Sequence, residues 1–251
     1  MHDLHTFYFN GHFLYELGAV ITQPPTLITP KRDIEFFSIP GKSGDSIIDN
    51  GRYENKTLRF PIRAVPTFCN LSLQDFKYKL SDWLQVGDYN YKEYRDTYNP
   101  GHFRKGVVTE IEETVAVERD VYETAVTFNF DPFLYNDAGL QTVTYTNLIS
   151  TPAYLTNLEQ WESEPIIKVS GNGMFTVTIS GNSFTITLES SDGEITIDKP
   201  NENVYDSDGN DCNDKINAKK LPYLKAGQNK ISVIGTGDNF TLKIIPNWRR
   251  L

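Results

Sequence analysis

Apolar and polar residues alternate most cleanly in the second half of the chain. Phe175, Val177 and Ile179 fall on one side of an extended segment, with Thr176, Thr178 and Ser180 on the other. After Gly181-Asn182 the pattern resumes in Phe184, Ile186 and Leu188. A period of two residues marks strands with one buried face, so this stretch predicts a hairpin. Asp192-Gly193 then turns into Glu194–Asp198, Gly227 precedes Gln228–Ile234, and Phe240–Ile245 follows. Strands at such spacing predict a β-sandwich. In the first half, Asn10-Gly11 lies between Phe7-Tyr8-Phe9 and His12–Tyr15. That dipeptide readily takes the positive φ angles of a tight turn, which predicts a terminal hairpin. Ile34–Ile39, Leu58–Val65, Val107–Val117 and Val121–Phe130 are further strand candidates, the last two forming a longer hairpin around Glu118-Arg119-Asp120.

One segment departs from the period of two. Phe76, Leu80, Trp83 and Leu84 recur at helical spacing, Ser72 stands as N-cap with Asp75 three residues on, and Gly87 can end the helix. After Phe133-Leu134-Tyr135 the texture loosens and becomes Thr- and Asn-rich as far as about Thr156, which suits a linker or a first edge strand. The domain boundary is therefore placed between residues 135 and 150, giving domains 1–138 and 139–251. Composition agrees with a mainly β chain: Thr occurs 23 times and Ala 8 times in 251 residues, and aromatics reach 13%.

A net charge of -9, with no long basic run, argues against a protein that grips phosphate backbones over a wide surface. Cys69 and Cys212 are too few and too far apart for a disulfide framework, so free thiols in a reducing compartment are expected. The start, Met1-His2-Asp3-Leu4-His5, lacks a secretory pattern, and no apolar run reaches the length of a membrane span, so membrane insertion is not expected.

The chemical motifs are weak. Gly41-Lys42-Ser43 resembles the end of a phosphate loop, but Phe36 stands where the first Gly belongs, and a turn set by Pro40 and Gly41 is the simpler reading. Gly44-Asp45-Ser46 resembles a nucleophile turn, yet all four His lie in the first 102 residues, and His2, His5 and His12 read as surface residues. Asp206–Asp211 begins like a calcium loop but has Asp211 at the Gly position and Asn217 in place of the final Glu. Glu110, Glu112 and Glu113 read as one face of an exposed strand. Tyr89, Tyr91, Tyr94, Tyr98 and Phe103 sit among Lys92, Arg95, Arg104 and Lys105, a mixture that suits a subunit contact. No catalytic constellation, metal site or cofactor site emerges. Two classes remain: a structural assembly protein, or a carbohydrate-binding β-sandwich in which Trp161, Tyr205 and Trp248 would meet the sugar, although packing at strand ends is the favoured reading of these three.

Longer segments resemble a known family. Ile34–Gly44, then Asp49–Asn55 and the strand Thr57–Arg63, resemble the N-terminal signature of the distal tail proteins of phages with long non-contractile tails. Phe128–Tyr135 is similar to the close of that family's first domain, and Trp161–Ile167 with Gly171-Asn172-Gly173 to the opening of its second. Leu221–Leu224, Gly227–Ile231 and the terminal Pro246–Leu251 are similar to its last strands. Lys42, Ser43 and Asn129 depart from the usual pattern, as in a distant member.

The resemblance implies an N-terminal belt domain, a β-barrel-like sheet with one helix, followed by a C-terminal galectin-like β-sandwich. It implies a non-enzymatic hub in the virion tail, assembled in the host cytoplasm. Six copies would form a ring through which DNA passes. The ring would join the tail tube protein to a tail tip or tail-associated lysin protein and could dock a receptor-binding protein. Belt strands with open edges would be covered by identical neighbours. Phe36, Phe37, Ile39, Val107, Val115 and Val121 are the candidate contacts between copies.

Overall fold

The computed structural model describes residues 5–26, 28–146, 148–149 and 151–251; His2 lies outside them. Two compact units are present, the first running to Leu134 and the second spanning Tyr135–Arg250. Both are built from strands, and the protein is mainly β with one α-helix among the described residues.

In the first unit the strands are β1 (Phe7–Phe9), β2 (His12–Phe13), β3 (Ala19–Ile21), β4 (Arg32–Phe37), β5 (Ser46–Tyr53) and β6 (Lys56–Ala64). The helix α1 (Leu73–Gln85) follows, then β7 (Lys92–Asp96), β8 (His102–Ile111), β9 (Val115–Glu118) and β10 (Val121–Phe130). One antiparallel sheet runs in the order β2-β1-β7-β8-β10-β6-β3, with β9 added beside β10. It curls into a half-barrel, and the Ile21 N–H donates to the His5 carbonyl at 2.8 Å, joining β3 to the chain just ahead of β1. The stretch expected as one strand, Val107–Val117, is two: regular pairing is interrupted over residues 112–114 between β8 and β9, where the Glu112 N–H still donates to the Ala125 carbonyl at 2.8 Å. There Thr124 donates its hydroxyl to the Glu112 carbonyl at 2.7 Å and the Arg59 guanidinium pairs with the Glu112 carboxylate. Both β8 and β9 therefore flank the same side of β10.

Alternation along β6 and β10 sends Leu58, Phe60, Ile62, Val126, Phe128 and Phe130 to one buried face. These meet Phe7 and Tyr94 in an aromatic core, with Tyr94 to Phe130 at 4.9 Å and to Phe128 at 5.0 Å between ring centres. Edge-on and tilted contacts of this kind add to the burial of large apolar area. The helix closes this core with Phe76, Leu80 and Leu84. Its start is the expected capping box: the Asp75 N–H donates to Ser72 Oγ at 3.1 Å and the Ser72 N–H to the Asp75 carboxylate at 3.3 Å. Trp83 lies at the margin and donates its indole N–H to the Phe9 carbonyl at 2.7 Å.

β11 (Leu134–Asn136) follows the first unit; the later strands are β12 (Val143–Tyr145), β13 (Ala153–Asn157), β14 (Ile166–Ile179), β15 (Asn182–Leu188), β16 (Ile195–Asp198) and β17 (Asn203–Tyr205). β18 (Ile216–Ala218), β19 (Gly227–Gly235), β20 (Asp238–Ile245) and β21 (Arg249–Arg250) complete it. The 14-residue β14 serves two layers. Ile166–Ser170 pairs with β16 and β20, whereas Phe175–Ile179 pairs with β15 and β19. The change of layer falls at Gly171-Asn172-Gly173, where both glycines have positive φ and the β20 register shifts. A Cβ on Gly173 would lie 2.6 Å from the Gly237 Cα, so the crossing chains approach as only glycine permits. Phe175, Val177, Ile179, Phe184, Ile186 and Leu188 all face the sandwich interior, as their alternation predicts.

Two stability effects follow. Truncating Phe60→Ala at the centre of the first core is expected to cost about 3–5 kcal/mol in urea unfolding, whereas Ser72→Ala costs about 1 kcal/mol through the lost cap. Lys56 is buried, and desolvation together with the neighbouring Arg104 charge lowers its pKa to about 8. Its folded pKa lies below the unfolded value, so the unfolded chain binds the extra proton between the two and stability rises with pH from about 8 toward 10. Buried Tyr94, whose phenol is pushed well above its ordinary range by burial and Asp96, opposes the trend only at higher pH. Chemical unfolding of Lys56→Met at pH 7.5 and 9.5 should show that rise abolished.

Candidate assembly interface

Residues 32–53 form a two-stranded ribbon, β4 paired only with β5 among the described residues. Phe36 pairs with Ile47 and Ile34 with Asp49, while Glu35 pairs with Ile48 and Phe37 with Ser46. Directly opposed residues share a face, so Ile34, Phe36 and Ile47 lie on one side and Phe37 and Ile48 on the other. All five are exposed, Phe36 at 62% and Ile47 at 63%. Ile39, at the tip, is exposed as well.

Polar contacts hold the ribbon together at its base. The Arg32 Nε donates to Asp49 at 3.1 Å, and the Arg52 Nε to Asp33 at 2.6 Å. The Asn50 amide donates to Asp33 at 3.1 Å. Asn50 and Arg52 lower the Asp33 pKa, and Arg32 with the Gly51 N–H lowers that of Asp49. Exposed pairs of this kind fix register more than they add stability. At the tip the Gly41-Lys42-Ser43 segment is a turn, with Gly41 at φ 79° and the Lys42 N–H donating to the Ile39 carbonyl at 3.1 Å. It opens no helix.

A second open edge belongs to β9, which pairs with β10 on one side. All four of its residues are exposed, Val115 at 56% and Val117 at 49%. These valines form one wall of an open groove of about 620 Å³ across the outer face of the half-barrel, with Pro61 at its floor. Arg59 pairs with Glu112 and Arg63 with Glu123, both at 2.6 Å, along the same groove. The Arg59 guanidinium holds the Glu112 carboxylate below its usual pKa.

The six candidate contact residues thus separate. Phe36, Phe37 and Ile39 lie on the ribbon and Val115 on the β9 edge, whereas Val107 and Val121 are half-buried in the sheet. Ile34, Ile47, Ile48 and Val117 belong with the exposed set. Their sequence signal is adjacency: neighbouring apolar residues in a strand point to opposite faces, as in Phe36-Phe37 and Ile47-Ile48. Among the aromatic-basic cluster, Tyr94 and Phe103 are core residues, while Tyr89 and Tyr91 are exposed.

The three residues considered for sugar contact do not form an exposed aromatic platform. Trp248 is 7% exposed and packs into the sandwich core, against the Gly139 backbone. Trp161 and Tyr205 are half-buried, and burial with the nearby Asp198 raises the Tyr205 pKa. The Asp206 loop spends its oxygens internally: the carboxylate accepts the backbone N–H groups of Asp208 and Asn210 at 2.9 and 2.8 Å and the Asn210 amide at 2.9 Å. Among the described residues no group of three or more His, Cys, Asp or Glu is placed to hold a metal.

No protein-family model matches the chain, and no curated protein matches it in sequence. Solved structures do match its shape. Dit (gp 19.1) of phage SPP1, described as a paradigm of the hub adsorption apparatus in phages that infect Gram-positive bacteria, aligns with TM-score 0.70 and 13% identity, covering 99% of this chain and 100% of that one. A chain of the phage P2 baseplate, in its activated conformation with calcium, aligns with TM-score 0.51 and 8% identity over 99% and 98% of the two chains. The resemblance read from sequence segments is therefore matched in three dimensions, and from end to end the chain carries the Dit fold.

Proposed function

We propose that this chain is a structural hub of a phage tail, with six copies closing into a ring between the tail tube and the tip. In this reading residues 1–138 are the belt that assembles, and residues 139–251 are a galectin-like sandwich that offers docking surface. Its partners are the tail tube protein, a tail tip or tail-associated lysin protein and a receptor-binding protein. The role is structural rather than catalytic, in the virion tail after assembly in the host cytoplasm. A net charge of -9 keeps DNA that passes through the channel from sticking.

The observation that carries this reading is the ribbon of residues 32–53, which exposes Ile34, Phe36, Phe37, Ile39, Ile47 and Ile48 in a chain that carries the Dit fold throughout. An isolated two-stranded hairpin is marginal in water, and apolar side chains on both of its faces call for a covering surface. The half-barrel does not supply it. Among the described residues the open edges of the first unit include those of the ribbon and of β9, the latter on the main sheet. The burial of Trp248 removes the largest aromatic surface from the sugar-binding alternative.

Light scattering of the purified protein at tens of micromolar is expected to show a species of six chain masses. The double variant Phe36→Asp, Ile47→Asp should run as a folded monomer, with the wild-type circular dichroism spectrum and a thermal midpoint independent of concentration. A wild-type chain that remains monomeric up to its solubility limit would overturn the ring.

A further inference from the structure

Carboxylates are missing from one whole layer of the second unit. The chain carries 33 Asp and Glu against 24 Lys and Arg, yet residues 153–157, 165–188 and 215–237 contain no Asp or Glu. Those stretches supply β13, β14, β15, β18 and β19. Phe175–Ile179 of β14 lies between β15 and β19, with β18 beyond β15 and β13 beyond β19. Cations are distributed in the opposite sense. Of the ten Lys and Arg in residues 135–250, Lys168, Lys199, Lys215, Lys243, Arg249 and Arg250 have carboxylate partners. The other four, Lys219, Lys220, Lys225 and Lys230, are exposed and form no ion pair among the described residues.

The topology gathers these four at one end of the layer. β18 runs toward the β14–β15 turn, since Ala218 lies opposite Phe184, and β19 starts from the same end, where the Ser180 N–H donates to the Lys230 carbonyl at 3.1 Å. Residues 219–226 therefore cross that end from β18, past β15 and β14, to β19, three strand spacings or about 14 Å. Within this segment the Lys220 and Lys225 ammonium groups stand 5.5 and 6.0 Å from the centre of the Tyr223 ring. Tyr154, opposed to Lys230 on β13, is exposed and adds a ring face beside the last charge. Glu162 and Glu164 adjoin the segment through the Ser163–Leu224 bridge, and Glu164 is taken up by Arg249. Outward positions beside the row carry hydroxyls: Thr178 bonds Ser183 at 2.8 Å and Thr176 bonds Thr185 at 2.9 Å. Each such pair keeps one hydroxyl proton and spare lone pairs for a ligand.

We propose that this end of the sandwich binds an anionic glycan, a chain that alternates charged groups with hydroxyls. The lysine row attracts the charges, and the Thr and Ser ladder meets the hydroxyls. Four lysines without an Arg, in a chain of net charge -9, are too few to grip nucleic acid. An acidic polypeptide fits less well, because Met174 and Ile234, the apolar side chains it would bury, lie further along the strands from the row. This role is additional to the hub reading and holds for one copy or six.

Titration calorimetry of the full chain with polygalacturonate and with dextran sulfate tests it, with neutral dextran, polyglutamate and single-stranded DNA as comparators. Both anionic glycans should bind, at least tenfold more weakly when NaCl rises from about 50 to 300 mM, and neutral dextran should not. The double variant Lys220→Gln, Lys225→Gln should lose at least tenfold in affinity with the wild-type circular dichroism spectrum. Lys77→Gln, Lys79→Gln, the same charge change at exposed positions of α1, should lose less than twofold. Thr178→Val, Ser183→Ala should weaken the glycans at least threefold and leave polyglutamate unchanged. The proposal is overturned if neither glycan binds, if the two lysine double variants lose affinity equally, or if polyglutamate or DNA binds as tightly as the glycans.

Discussion

Water cannot be kept from both faces of a ribbon only two strands wide, and residues 32–53 form such a ribbon. Where apolar side chains occupy both faces, as with Phe36 and Ile47 on one and Phe37 and Ile48 on the other, the exposed area is a cost the isolated chain carries. The cross-strand pairs Arg32–Asp49 and Arg52–Asp33 keep the ribbon in register without covering that area. Each unit has its own core, and no residue of the ribbon belongs to either.

The first core explains how such an extension is tolerated. The half-barrel draws its cohesion from rings packed around Tyr94 and from α1 laid across them, both formed without residues 32–53. Nature of contact therefore divides along the chain. Residues that set the fold of the first unit are inward members of alternating strands and one helix face, while the exposed apolar residues of the ribbon are strand neighbours that break alternation. The two sets do not overlap, so the ribbon can change in sequence without disturbing the core of the first unit.

Much of this was legible beforehand, and the exceptions have physical causes. The Ser72 capping box, the helix face of Phe76, Leu80 and Leu84, and the paired alternation of β14 and β15 are local patterns, and each was realised. The break between β8 and β9 was not legible, because Val, Thr and Glu favour extended backbone on either side of it and the departure is imposed by partners distant in sequence, Arg59 and Thr124. Trp248 closes the sandwich core, the packing role that the sequence favours for it over sugar contact. The bond from the Ile21 N–H to the His5 carbonyl, which ties β3 to the chain ahead of β1, is likewise announced by no periodicity.

The bend in β14 has a mechanical meaning. A single uninterrupted backbone runs from one layer of the sandwich into the other at Gly171–Gly173, so a load that tries to peel the layers apart is borne by covalent bonds along that path before any ladder of hydrogen bonds yields. A module pulled upon while anchored elsewhere gains from such a tie, because its failure would require breaking the strand pairs on both sides together.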